Sequence, residues 1–230
     1  VPHDAAYKKV VPLVLSYATA WQMLHRVARL QSGQKILVHG AGGAVGTALL
    51  ELGRLHGLEM YGTASAAKHS VVQSFGATAV DYRREDVEAR IRQLAPDGLD
   101  AVFDPIGGEN FRLSWRLLKK GGHLLAYGFY NAIMGKGGSI PADFMRIKLW
   151  NVLPNGRKAS FYSIGAMRRK HPEWYKEDLQ KLMALLQDKK INPLIAAEFS
   201  LEQVQEAIGL VEHHPPKGKV ILKVSQHKAK

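Results

Sequence analysis

The chain has 230 residues, 46% of them hydrophobic, which is enough for one large domain or two small ones with ample core. The 23% charged fraction excludes wholesale disorder, and the absence of cysteine excludes disulfides, thiolate nucleophiles, iron–sulfur clusters and cysteine-ligated zinc within this chain. The 32 Lys and Arg against 20 Asp and Glu leave a net charge of +12, which raises the question of a polyanionic partner.

In chain order, residues 18–30 predict an amphipathic helix stopped by Gly33. The apolar run Lys35-Ile36-Leu37-Val38-His39 reads as a buried strand. Val45, Leu49, Leu52 and Leu55 then recur at helical spacing across 44–56. Residues 58–63 predict a strand, 66–75 a helix closed by Gly76, 78–81 a strand and 86–94 a helix before Pro96. A strand over 99–104, a helix over 110–119 ending at Gly121 and a strand over 123–127 follow. Strands alternating with helices of this length predict βαβ units: an α/β fold, with a doubly wound parallel sheet covered by helices on both faces.

After Gly128 the pattern loosens. Residues 135–139 form a Gly-rich loop, 142–150 predict a helix, 151–158 a turn-rich stretch and 172–187 a longer helix. A strand is expected near 194–197. Ser200 then caps a helix over 201–212, with Gln203 completing a capping box, and a strand over 218–224 precedes a polar tail.

The most informative stretch is His39-Gly40-Ala41-Gly42-Gly43-Ala44-Val45-Gly46, between a strand and a helix. Glycines there let the backbone turn tightly and approach a pyrophosphate, while the helix N-terminus offers free N–H groups. The usable spacing is Gly40-x-x-Gly43-x-x-Gly46, looser than the G-x-G-x-x-G fingerprint of Rossmann-type folds. An acid at the end of the second strand would hold a ribose 2′-OH and indicate NAD. None is there; Ser65 and Lys68 instead offer a hydroxyl and an ammonium suited to a 2′-phosphate, so NADPH is the expected cofactor.

The segment Lys35 to Gly46 resembles the cofactor domain of zinc-independent medium-chain dehydrogenases/reductases, in the quinone oxidoreductase-like branch. Ala18-Thr19-Ala20-Trp21, Phe75-Gly76-Ala77, Asp81-Tyr82, Asp104-Pro105-Ile106-Gly107-Gly108, Gly121 to Gly128, Phe199-Ser200-Leu201 and Gly218 to Leu222 agree with that family in order and spacing. The resemblance implies that Ser65, Lys68 and Tyr82 surround a 2′-phosphate. It sets Gly43, Ala44, Val45 and Gly46 against the pyrophosphate, and Thr19, Ile106, Gly128 and Phe129 toward the nicotinamide half. It also implies hydride transfer to a conjugated carbonyl of a quinone or enone, cytoplasmic location and a homodimer formed through the sheet, with 194–197 as the candidate edge. No general acid is assignable; Tyr127, Tyr130 and Asn131 fall near the expected active end.

Two departures bear on these expectations. Leu15 stands where zinc-dependent relatives carry a cysteine ligand, so no metal site is expected. The family's substrate domain precedes the cofactor domain, and here 1–15 read as a remnant or linker, 16–215 as the NADPH-binding domain and 216–230 as a strand with a basic tail. Val1 in place of Met suggests that a longer parent was cut. Two rival readings remain: an isolated NADPH-binding domain without catalysis, and a basic nucleic-acid-binding protein. Arg168-Arg169-Lys170 and Lys217, Lys219, Lys223, Lys228 and Lys230 favour the second. However, the basic residues divide evenly, 16 before Ser139 and 16 from there on, with no RNA-binding motif.

Overall fold

In the computed structural model, which describes residues 7–213 and 216–224, alternate side chains of each central strand point into two separate cores. Strand β1 (Lys35–His39) sends Ile36 and Val38 to one face and Leu37 to the other. Strand β4 (Leu99–Asp104), buried along its whole length, sends Ala101 and Phe103 one way and Leu99 and Val102 the other. Both strands are apolar on both faces because helices cover both faces.

Six parallel strands make the main sheet, in the order β3-β2-β1-β4-β5-β6, with β2 (Glu59–Ala64), β3 (Thr78–Asp81), β5 (Leu118–Ala126) and β6 (Lys158–Phe161). One core packs under the helical run 7–28, the helix Ala44–Leu55 and the helix Pro172–Gln187. The other packs under the helices Val87–Leu94, Glu109–Arg116 and Ile140–Trp150. The doubly wound α/β architecture expected from the sequence is therefore the one observed.

Several local expectations need correction. The first helix is not confined to 18–30. Helical backbone runs from Tyr7 to Ala28, with two π-type stretches, and stops at Arg29, which adopts the left-handed φ of 53°, well before Gly33. Residue 15 lies inside this run, and Leu13 is fully buried. The helix expected over 110–119 ends at Arg116, and β5 begins at Leu118 because Leu118 pairs with Leu99 across a bulge. The turn-rich stretch 151–158 leads into β6, which the sequence reading missed, and Ser163 caps a further helix, Ile164–Lys170. The capping box holds, with Ser200 N–H donating to Gln203 Oε1 at 3.1 Å.

Residues 194–197 are not an edge of the main sheet. Strand β7 (Ile195–Ser200) pairs in parallel with β8 (Lys219–Lys223) in a separate two-stranded sheet, and among the described residues the free edges of the main sheet are β3 and β6. The expected linker at 1–3 and the tail beyond 224 lie outside the described residues. Among the described residues no helix is long and apolar enough to cross a membrane.

Candidate functional site

Parallel register brings the ends of five strands to one side of the sheet. His39 pairs with Thr63, Ala64 with Asp81, Val38 with Phe103 and Asp104 with Ala126. Gly40, Ser65, Tyr82, Pro105 and Tyr127 therefore leave the sheet together. The strand order reverses between β1 and β4, where open α/β sheets form their ligand crevice.

The glycine loop sits at that reversal. Gly40 adopts a φ of 65°, and Gly43 N–H donates to Gly40 O at 3.0 Å. Gly43 is the N-cap of Ala44–Leu55 and carries no side-chain cap; the first bond of the helix is Thr47 N–H to Gly43 O at 2.8 Å. The N–H groups of Ala44, Val45 and Gly46 are thus left without helical acceptors, beside the positive end of the helix dipole. A Cβ on Gly46 would lie 2.4 Å from Gly40 O, so glycine is what lets the helix start this close to the loop.

Beneath the loop, the His39 ring is buried. Its Nδ1 lies 3.0 Å from Thr63 Oγ1, and its Nε2 is a buried ring nitrogen with no partner among the described residues. Burial holds its pKa below the usual histidine range, against a weaker pull from Asp104.

The fully buried Asp104 organises the next loop. One oxygen accepts from the N–H of Ile106 at 2.7 Å and, more weakly, from Gly107; the other accepts from Asn110 Nδ2 at 2.8 Å and Ser114 Oγ at 2.6 Å. Gly107 and Gly108 follow at φ 83° and 63°, and Gly108 N–H donates to the buried Asp143 carboxylate at 2.9 Å. Gly128 backs onto this loop, where a Cβ would meet Pro105 O at 2.7 Å.

The sequence-predicted residues fall in three groups. Gly43, Ala44, Val45 and Gly46 form the loop and helix start just described. Ser65, Lys68 and Tyr82 lie past the ends of β2 and β3, but they differ in setting. Ser65 precedes a short 3-10 turn and makes no capping bond, and Tyr82 is half-exposed with the Arg83 guanidinium 5.6 Å over its ring. Lys68 turns back across Gly42, and its Nζ donates to Pro216 O at 3.2 Å. Burial, then the charge of Lys217, lowers its pKa.

Ile106 and Gly128 flank the Asp104 loop. Thr19 is buried beside the Tyr162 hydroxyl, which donates to Gln22 Oε1 at 2.9 Å. The Phe129 ring is buried, stacked 4.8 Å from Phe161, and both its Cα and its ring lie against Gly107 of the loop. Tyr127 is kept protonated by burial and by Asp104.

Sequence reasoning missed three features. Arg83 adds a cation at the end of β3. The 216–218 segment crosses the loop, with Gly218 N–H 3.4 Å from Gly42 O and Gly218 bridged to Gly43. Asp104 acts as a clamp; an acid closing the strand after Ala101-Val102-Phe103 and followed by Pro105 was the available signal.

A family of proteins described as zinc-binding dehydrogenases matches residues 75–222. The chain belongs to this family, within the medium-chain dehydrogenase/reductase superfamily. A zebrafish (Danio rerio) synaptic vesicle membrane protein VAT-1 homolog is 30% identical over 96% of this chain and 47% of its own length. A quinone oxidoreductase-like protein 2 homolog from Nematostella vectensis is 29% identical over 98% of this chain and 60% of its own length. The chain therefore spans about half to three-fifths of the length of these relatives. A mycobacterial protein solved in complex with NADPH superposes with a TM-score of 0.81, at 24% identity, over 96% of this chain and 66% of that one. The residues of this chain do not fit the zinc of the family's description: there is no cysteine, and among the described residues no cluster of three or more His, Cys, Asp or Glu.

Proposed function

We propose that the chain is the cofactor-holding part of an NADPH-dependent oxidoreductase that reduces a conjugated carbonyl, as in a quinone or enone. The observation that carries this reading is the uncapped start of the helix Ala44–Leu55 at the strand-order reversal, where the N–H groups of Ala44, Val45 and Gly46 have no helical acceptor. The absence of an acid at the end of β2, together with Ser65, Lys68, Tyr82 and Arg83, favours a 2′-phosphate over a bare ribose. The NADPH complex of the mycobacterial neighbour and the quinone oxidoreductase-like relative point the same way.

In this reading Gly43, Ala44, Val45 and Gly46 lie against the pyrophosphate, Gly43 shaping the turn through its bond to Gly40 O and the helix start offering backbone N–H groups. Thr19, Ile106, Gly128 and Phe129 line the nicotinamide half. Asp104 fixes the loop that carries Ile106, so the ring is oriented by backbone rather than by mobile side chains. The bound cofactor supplies the hydride; the protein's part is to hold and orient it. A homodimer through the free edge of β6 and a cytoplasmic location belong to the same proposal.

Fluorescence titration with NADPH and NADH tests it. NADPH is expected to bind at least about tenfold more tightly, about 1.4 kcal/mol. Equal affinities would remove the 2′-phosphate assignment, and binding of neither would overturn the reading as a whole. Retention on duplex DNA at moderate salt without dinucleotide binding would favour the nucleic-acid alternative.

A further inference from the structure

The amino ends of β5 and β6 lie away from the dinucleotide loop, and beside them the structure holds a second, differently built cleft. Two helices form it, and each contributes one face. Glu109–Arg116 offers Arg112, Trp115 and Arg116; Ile140–Trp150 offers Arg146 and Trp150. Spacings of three and four residues place an arginine above a tryptophan on each helix. The two indoles stack with centroids 4.8 Å apart and planes 7° apart, and Arg157 covers Trp115 from the side at 5.8 Å. The cleft is open to solvent on one side and offers about 320 Å³, at the small end of the range for small-molecule sites.

The charges around it do not balance. Arg92, Arg112, Arg116, Arg146 and Arg157 face Glu88, Glu109 and Asp143. Glu88 is shared by Arg92 and Arg116, at 2.8 and 2.6 Å. Arg146 is fixed by Asp143 at 2.6 Å and Gly108 O at 3.1 Å, which leaves it oriented with donors to spare. Among the described residues the one ion pair of Arg112 is with Glu109 at 3.2 Å, and that glutamate side chain is 82% exposed.

We propose that this cleft binds a small aromatic carboxylate, its ring lying against Trp150 and its carboxylate held by Arg112 and Arg116. Arg116 gives Nε and Nη2 to Glu88 and Arg112 gives Nε to Glu109, so the remaining Nη donors of the two are the ones a carboxylate would take, and indole faces favour a flat ring over an aliphatic chain. Arg146 touches the Asp104 loop through Gly108 O; Arg112 and Trp150, which the test alters, are not among the residues placed in the dinucleotide site.

Calorimetric titration of the protein with 2-naphthoate, and separately with inorganic phosphate, tests this. Saturable binding of naphthoate with a Kd below about 1 mM is expected. Arg112→Gln and Trp150→Phe should each weaken it at least about fivefold, and Lys68→Ala should leave it unchanged. Arg112 is half-exposed, so its variant keeps the fold, and thermal melts check both variants. No saturation by about 10 mM, affinities unchanged in both cleft variants, or loss in Lys68→Ala would each overturn the proposal. Displacement of naphthoate by phosphate at equal concentration would reduce the site to a simple anion patch and also overturn it.

Discussion

Lys68 occupies the space that a side chain on Gly42 would need: a Cβ at Gly42 would stand 2.6 Å from Lys68 Cδ. The aliphatic stem of the lysine covers the phosphate loop, and its ammonium is tied to Pro216 O. Gly42 therefore matters for the position of Lys68 as well as for the path of the backbone.

On the proposed reading, Lys68→Ala weakens NADPH binding about tenfold or more and leaves NADH nearly unchanged, measured by fluorescence titration. Gly42→Ala, which pushes the stem aside without removing the charge, produces an intermediate loss. A lysine whose pKa is lowered gives up its positive charge at a lower pH than an ordinary one. The NADPH preference is accordingly expected to decline on the alkaline side, and Lys68→Ala should abolish that decline. An equal loss for the two dinucleotides in Lys68→Ala would assign the side chain to packing alone.

Gly46→Ala tests the closeness of loop and helix. The added carbon would sit 2.4 Å from Gly40 O and 2.7 Å from Ala41 O, both backbone atoms that cannot swing away. Overpacking of this kind costs about 1–3 kcal/mol, a fall in Tm on the order of 2–4 °C for each kcal/mol in a chain of this size. Because the displaced N–H groups are the proposed pyrophosphate donors, NADPH and NADH affinity should fall together, which separates this variant from Lys68→Ala.

The central strands were legible because apolar runs such as Ile36-Leu37-Val38 leave few alternatives inside a parallel sheet, and the glycine loop because its residues answer to backbone geometry. Strand β6 was not. Lys158-Ala159-Ser160-Phe161 is a four-residue edge strand with polar members and no periodic signal, and it forms only because the helix before it delivers it to β5. The stop at Arg29 was hidden because a left-handed residue usually reads as glycine or asparagine. At the site, residue types around the 2′-phosphate could be read, but the direction of Lys68 depends on Pro216, 148 positions away, and no local pattern encodes that contact.

Asp104→Asn leaves the shape of the clamp and reverses half its chemistry. The carboxylate accepts from two side-chain donors and from the Ile106 and Gly107 N–H groups, and an amide nitrogen in its place would face donors. Unmatched buried donors and a lost charge-assisted bond together cost about 2–4 kcal/mol. Urea denaturation is expected to show that loss as a lower midpoint at unchanged m-value. An Asp104→Asn variant as stable as the parent would mean that the loop is held by Pro105 and Asp143 instead.

Acid should destabilise the fold through partly buried histidines. Burial, and then the neighbouring His56, lowers the pKa of His25 to about 4; burial, and then Lys158, lowers that of His123 to about 4 as well. Both are therefore neutral in the fold at pH 6, whereas unfolded histidine titrates near about 6.5. Below that value the unfolded chain binds protons that the folded one refuses, so stability is fully present above about pH 6.5 and is lost progressively as pH falls toward 4. Partial exposure of both rings reduces the size of the effect. Melting temperatures between pH 7.5 and 4.5 should fall on the acid side, and less steeply in His123→Gln, which can keep the bond to Ser160 Oγ at 2.5 Å without a titrating ring. A flat profile over that window, or an identical slope in the variant, would show that His123 is protonated as readily in the fold as out of it.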